Sequence, residues 1–571
     1  MMGAGRHPSM LARLCNVHST STKPLELYAG LTRRAELAWR LGLALLSAFV
    51  LIYAYPPHLV PGLVFVGYAP LLLAIRDASE KLVFAVAMVW GTVAVSVAYA
   101  WVTHMAEAFM GIPPGASRAF NILLAAVQSC GPALALVLMV AARRHVKLPV
   151  IWAFPVFMLA SIALYPSVFF YNLASASVGW TLSLQPIEVF GPWGLDFIIC
   201  MTNAMAAEAV ILLVGRWRGS QPAGPRTLLH TGIGLVVVVL WFAWAAILHS
   251  RWTREVASFE TKKIGVVQPL RPKVLGPPPP AELEPYEFEI SERLVAEGAE
   301  VLVWPEGRIH FYTHDPDVRA VFHEHVTQLG VPLVFNDTGI DLNVALDETQ
   351  TQAEHQRART HRYNGAHLIV PHEGFGGAYH KRKLVPFGEY IPVARHFESE
   401  LEWRWGVWPG QGPVTWDVAG LQIVPAICYE LIFPDLIAEN IGPDARGRIV
   451  VVQSNDGWFG PGAQPHQHNA FAPLRAVENR VPVVHVINDG PSTATAPDGR
   501  VVWTSERDVR GGWVVEVPYD ANSGGTVHGR HVGWFKNLVL LVFASVGALA
   551  FVRRRRGVRH PARVGEGPTR A

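Results

Sequence analysis

Pro425-Ala-Ile-Cys-Tyr-Glu430 closes an apolar run that begins at Leu421 and breaks into polar residues at Cys428. A short apolar run rich in β-branched residues reads as a buried strand, and the end of such a strand can deliver a side chain to a cleft. Cys428 is also the only cysteine between positions 251 and 535. Two upstream stretches have the same form: Glu306 ends Val301-Leu-Val-Trp-Pro-Glu306, and Lys381 lies in Tyr379-His-Lys-Arg-Lys-Leu-Val-Pro-Phe-Gly-Glu389. A carboxylate, an ammonium and a thiol brought together suit covalent acyl transfer, because a thiol becomes an effective nucleophile beside a base or a cation.

Around these stretches the segment 251–535 alternates between strand-like and helix-like patterns. Lys263–Gln268, Val301–Trp304, Val331–Phe335, Ala366–Val370, Leu421–Ile427, Ile449–Gln453 and Val483–Ile487 read as short buried strands. Tyr286–Glu297 and Asp317–Leu329 carry apolar residues at helical spacing. The expectation is an α+β or α/β layered domain with its chemistry at strand ends. Gly276-Pro-Pro-Pro-Pro280 reads as a stiff loop.

The rest of the chain has a different composition. Of 571 residues, 51% are hydrophobic and 16% charged, which argues against an ordinary soluble protein. Stretches near the ~20 residues needed to cross a bilayer predict eight spans: 37–55, 58–75, 82–104, 119–142, 149–170, 187–214, 228–249 and 536–552. The expected organisation is a leader (1–36), a seven-helix membrane domain (37–250), a soluble catalytic domain (251–535), a terminal membrane helix (536–552) and a basic tail (553–571).

Charge sets the orientation. Arg33, Arg34 and Arg40, then Arg76 and Lys81, then Arg143, Arg144 and Lys147, then Arg216, Arg218 and Arg226 fall in alternate flanks and loops. The intervening loops are nearly free of Lys and Arg. The positive-inside rule puts the basic loops and both termini in the cytoplasm, with 251–535 on the outer face. Arg553-Arg-Arg-Arg556, directly after an apolar span, reads as a cytoplasmic flank, and a net charge of +3 gives no support for a nucleic-acid partner. His466 and His468 would share one face if Pro465-His-Gln-His468 were a strand, but no third metal ligand is placed beside them. No metal and no cofactor are expected.

Trp304-Pro-Glu306, Tyr379-x-Lys381-x-x-Leu384-Val-Pro-Phe-Gly-Glu389, Cys428-Tyr-Glu430, Ser454-Asn-Asp-x-Trp-Phe-Gly460 and Pro465-His-Gln-His468 occur in this order. Together they resemble the nitrilase (carbon–nitrogen hydrolase) superfamily. With the flanking spans, and with Gln185-Pro-Ile-Glu-Val-Phe-Gly-Pro-Trp-Gly-Leu-Asp-Phe197, the chain is similar to the apolipoprotein N-acyltransferase family. The resemblance implies an αββα sandwich and a Glu306-Lys381-Cys428 triad, with Glu389, Tyr429 and Glu430 in support. It selects Lys381 over Lys383 by its spacing to Leu384–Glu389. It further implies a phospholipid acyl donor, a diacylglyceryl-apolipoprotein acceptor, a cysteine thioester intermediate, and a monomer in the bacterial inner membrane with its catalytic domain on the periplasmic face. A membrane-tethered amidase, or an acyltransferase with a different acceptor, would share the triad. The chain departs from the family pattern at Gly307–Tyr312 and at Asp489-Gly490-Pro491, both beside the expected pocket rim.

The charge alternation makes a prediction. A reporter fused after Trp252 is expected to be active outside the cytoplasm and one fused after Arg556 inside it; the same compartment for both would remove the eight-span topology.

Overall fold

The structure is a computed structural model that describes residues 27–28, 30–218, 224–270, 286–307, 311–386, 388–390 and 407–559. The proline stretch 276–280 lies outside the described residues. The membrane part is built from α1 (Arg33–Ala54), α2 (Glu80–Ala98), α3 (Trp101–Met110), α4 (Pro114–Val146), α5 (Val150–Leu164), α6 (Pro192–Trp217) and α7 (Pro225–Val256). Thr32 and Ser79 cap α1 and α2 by accepting from the amides of Ala35 and Leu82, which satisfies donors the helix leaves open.

Among the described residues six helices are long and apolar enough to cross a membrane. Two expected spans are shorter, for local reasons. The stretch 58–75 is divided by Pro61, Gly62, Gly67 and Pro70, leaving a 3-10 turn at Leu63–Phe65 and a short helix at Ala69–Ala74. The stretch 149–170 is helical only to Leu164, because Pro166 holds Tyr165 extended, with ψ 130°. The stretch 82–104 divides after Ala98, and Gln467 of the soluble domain donates to the Ala98 carbonyl at 2.8 Å. The stretch 187–214 is broken at Gly191, whose φ of +63° is left-handed and whose Cβ position lies 2.7 Å from His528 Nδ1. A side chain there would meet both strain and a ring.

The soluble part holds two six-stranded sheets, ordered β12-β1-β2-β3-β4-β5 and β11-β10-β9-β8-β7-β6. The first sheet contains β1 (Glu260–Gln268), β2 (Val301–Val303), β3 (Leu333–Gly339), β4 (Tyr363–Val370), β5 (Gly374–His380) and β12 (Gly511–Tyr519). The second contains β6 (Trp416–Val418), β7 (Leu421–Ile427), β8 (Arg448–Ser454), β9 (Val483–Ile487), β10 (Thr493–Thr495) and β11 (Val501–Thr504). β1, β2 and β3 run parallel, as do β7, β8 and β9.

Side-chain alternation makes the layers. Ile423 and Ile427, Ile449 and Val451, and Val484 and Val486 meet Ile264, Val303 and Val334 between the sheets. The alternate residues Val424, Ala426, Val450 and Val452 face the other way, toward Leu474 and Ala476 of the helix Phe471–Asn479 and into one continuous core with the membrane helices. α8 (Tyr286–Ala296) and α9 (Pro316–Leu329) cover the opposite outer face through Phe288, Leu294, Phe322 and Val326. The result is the expected αββα sandwich with one helical layer seated on the membrane helices.

The two parts are fastened by Arg480, which is 1% exposed. Its Nε donates to Glu188 at 2.6 Å, its Nη1 to the Gln185 side chain at 2.9 Å, and its Nη2 to the Gln185 carbonyl at 3.2 Å. Trp252 completes the clasp: its ring lies 4.4 Å from the guanidinium and its indole N–H donates to Glu188 at 2.9 Å. Removing one partner of a buried pair strands the other charge. Arg480→Met is therefore expected to lower stability by about 3–5 kcal/mol, with partial recovery in Arg480→Met/Glu188→Gln, read as thermal unfolding of the detergent-solubilised protein.

Candidate active site

Glu306 follows β2, Lys381 follows β5 and Cys428 follows β7, so all three come to one end of the sandwich. Gln453, the penultimate residue of β8, donates to the Trp304 carbonyl at 2.6 Å and ties the two sheets together at that end. The Lys381 ammonium is 1% exposed and lies 3.2 Å from Glu306 Oε1 and 2.9 Å from Glu389 Oε1. Burial opposes that charge, but Glu306 and Glu389 together outweigh it and hold the ammonium well above the ordinary lysine pKa. Lys383 turns elsewhere: its ammonium lies 5.0 Å from the centre of the Phe433 ring.

Sequence reasoning missed the two asparagines behind the carboxylates. Asn364 Nδ2 donates to Glu306 at 2.7 Å and to Glu389 at 2.8 Å. Its own carbonyl oxygen accepts from Asn336 at 2.8 Å, and Asn336 accepts from the Gly307 amide at 2.7 Å. A buried asparagine inside an apolar strand such as β4 is the signal that could have found them, since buried polar groups need partners.

Cys428 is buried, with φ of +49°. Burial, and next the charge of Glu306, push its thiol well above the ordinary cysteine range, while Lys381 pulls the other way. Glu430, beside Cys428, does not point at the sulfur. Its carboxylate accepts from Tyr379 Oη at 2.9 Å, from the Arg382 and Lys383 amides at 2.6 and 3.1 Å, and from the Ile427 amide at 2.8 Å. It thereby fixes the loop that carries Lys381 to the end of β7 that carries Cys428. Tyr429 reaches the membrane part, donating to the Val168 carbonyl at 2.9 Å.

His466 and His468 lie on the helix Gln464–Asn469, not on a strand. Residues two apart on a helix diverge, and His466 is exposed where His468 is buried. Among the described residues Cys428, Asp456 and His468 form a group whose candidate ligand atoms lie within 4.8 Å of one another. Both ring nitrogens of His468 are already engaged, with Asp456 and with the Cys428 carbonyl.

Cys428 and Tyr429 open onto an apolar cavity walled on one side by sandwich residues, among them Val385, Ile432 and Phe471, and on the other by the membrane part. Trp90, Gly91, Ala94, Val95 and Ala98 line it as one face of α2, a stripe of ~12 Å at the helical rise per residue. Of the departures from the family pattern, residues 308–310 lie outside the described residues. At the other, a Cβ on Gly490 would come 2.7 Å from the Gln268 side chain, at φ of +69°.

A family model described as carbon–nitrogen hydrolase matches residues 281–521, and one described as the apolipoprotein N-acyltransferase N-terminal domain matches 47–205. Apolipoprotein N-acyltransferase of Geobacter metallireducens is 25% identical over 91% of this chain and 96% of its own length. The protein of that name from Bradyrhizobium diazoefficiens is 32% identical over 46% of this chain and 47% of its own. The chain thus spans nearly all of one relative and about half of the other. An amidase crystal structure from Nesterenkonia sp. aligns at 19% identity, with a TM-score of 0.33, over 45% of this chain and 90% of its own.

The arrangement around Cys428 predicts opposite responses to one substitution. Glu306→Gln removes a charge that raises the thiol pKa, so alkylation of Cys428 by iodoacetamide at neutral pH is expected to speed up. Turnover is expected to fall by roughly 100-fold or more, as for loss of a general base.

Proposed function

The chain belongs to the apolipoprotein N-acyltransferases, the membrane-embedded carbon–nitrogen hydrolases, and from that premise we propose that it transfers an acyl chain from a phospholipid to the α-amine of a diacylglyceryl-cysteine at a lipoprotein N-terminus. The single observation that carries this reading is the apolar cavity: it reaches the buried thiol from between membrane helices, along ~12 Å of α2. One leaflet of a ~30 Å hydrocarbon core is of similar depth. A water-soluble amide would need no such wall.

In this reading Glu306 takes the Cys428 proton and the thiolate attacks the donor ester carbonyl. Lys381 donates to the oxyanion of the tetrahedral intermediate. Collapse breaks the ester C–O bond, and Glu306 returns the proton to the departing lysophospholipid oxygen. The acceptor amine then attacks the thioester, gives its proton to Glu306, and the amide forms as the Cys428 thiol is restored. Glu389 holds the ammonium in place, and Glu430 and Tyr429 hold the loops that carry Lys381 and Cys428. No metal or cofactor enters these steps. Residues 37–250 and 536–552 would sit in the bacterial inner membrane, with 251–535 on its periplasmic face, and one copy carries the whole site.

The test is a purified-protein assay with a phospholipid carrying a labelled acyl chain and a diacylated lipopeptide. Label is expected on the lipopeptide amine; label released only as free acid would make the protein a hydrolase instead. Cys428→Ala should form no labelled acyl-enzyme. Lys381→Met is expected to lose about 100- to 1,000-fold in turnover, the usual worth of one oxyanion donor, with Lys383→Met largely active. Ala94→Trp, which fills the α2 stripe, is expected to cost long-chain donors about tenfold or more relative to short-chain ones, in the range pocket volume commands.

A further inference from the structure

His468 is 4% exposed, and its two ring nitrogens face two acceptors. Nδ1 lies 3.0 Å from each carboxylate oxygen of Asp456, and Nε2 lies 3.0 Å from the backbone carbonyl of Cys428. A neutral imidazole has one N–H and could serve only one of them; an imidazolium serves both.

The other groups around the ring agree with a charged His468. Burial works against the charge, but Asp456, with the Cys428 carbonyl and Glu306, outweighs it and raises the pKa above the ordinary histidine value. His485 of β9 packs edge-on, with ring centres 4.7 Å apart. Burial, then the charge on His468, push its pKa well below the usual range. A neutral ring there is consistent with its own contacts, Ser454 Oγ and Asn469 Oδ1, both at 2.7 Å.

The residue that His468 holds is strained. Cys428 sits at φ +49°, a left-handed conformation that is costly for a residue with a Cβ and persists only where neighbours enforce it. The orientation of the Cys428 carbonyl is coupled through that backbone to the direction of its Cα–Cβ bond. We propose that His468 is a positioning residue for the nucleophile: an imidazolium, held by Asp456, that grips the Cys428 carbonyl and keeps the left-handed turn that aims the thiol at the Glu306–Lys381 pair. The inference rests on the reading of Cys428 as the nucleophile.

The experiment measures kcat and donor KM for acyl transfer by His468→Ala, His468→Gln, Asp456→Asn and Cys428→Ala across pH, with thermal unfolding of each. His468→Ala is expected to lower kcat about 100-fold, the scale of a misplaced reacting group, with donor KM little changed. His468→Gln keeps an N–H for the carbonyl without a charge and should recover most of that loss. Because the folded pKa of His468 is raised, its grip is complete below that pKa and is lost as pH rises through it. Wild type should therefore carry an alkaline limb that His468→Gln lacks and that Asp456→Asn shifts to lower pH. Wild-type kcat in His468→Ala, or a His468→Gln protein that stays folded but is as slow as His468→Ala, would overturn the proposal. An active Cys428→Ala would instead overturn the reading of the site itself, so the two failures are distinguishable.

Discussion

A buried ammonium is the constraint on which the site depends. Lys381 has almost no contact with solvent, and a lone charge there would be untenable. Glu306 and Glu389 make it possible, and they come from different parts of the chain, one after β2 and one eight residues beyond the lysine. Burial, and next the charge of Glu306, raise the pKa of the Cys428 thiol, with Lys381 opposing them. In the proposed mechanism Glu306 receives the thiol proton beside a lysine that stays charged, so the buried ion pair serves the chemistry. Asn364 and Asn336 hold the carboxylates to the β3–β4 ladder, which carries the geometry into the sheet.

The second requirement is that the sandwich and the membrane helices act as one body. The cavity beside Cys428 has walls from both, and the contacts between them are specific. Arg480 enters a pocket made by Gln185, Glu188 and Trp252, Gln467 satisfies the open end of α2, and Tyr429 reaches Val168. Rigid attachment keeps an apolar passage aligned with a polar site, which a mobile tether would not.

Much of this was legible in the sequence, because the chemistry sits where apolar runs stop. Glu306, Lys381 and Cys428 stand out because an ionisable or nucleophilic residue interrupts a buried pattern, and the structure brings the first two into contact and couples the third to both. The seven strands read from apolar runs are present, Leu421–Ile427 and Val483–Ile487 with the expected bounds and the other five with shifted edges. β5 was not legible, since Gly374-Phe-Gly-Gly377 lacks apolar alternation, and β12 was missed as an edge strand of mixed exposure. The helix breaks at Ala98 and Gly191 depend on partners far away in the chain, Gln467 and His528, which a local hydropathy pattern does not contain. The same limit hid the contact of His468 with Cys428 across forty positions.

The pairing of β1 with β12 has a consequence for how the protein is made. α7 runs almost directly into β1, β12 leads to the last membrane helix, and Glu260 lies opposite Tyr519. The first strand synthesised therefore waits for the last. Throughout that interval its outer edge is unpaired, and an open edge is a template for wrong pairing. Closure over so many residues also makes late assembly slow relative to local folding. The charged start of β1, Glu260-Thr-Lys-Lys263, suits a strand that must remain solitary until its partner has been translated.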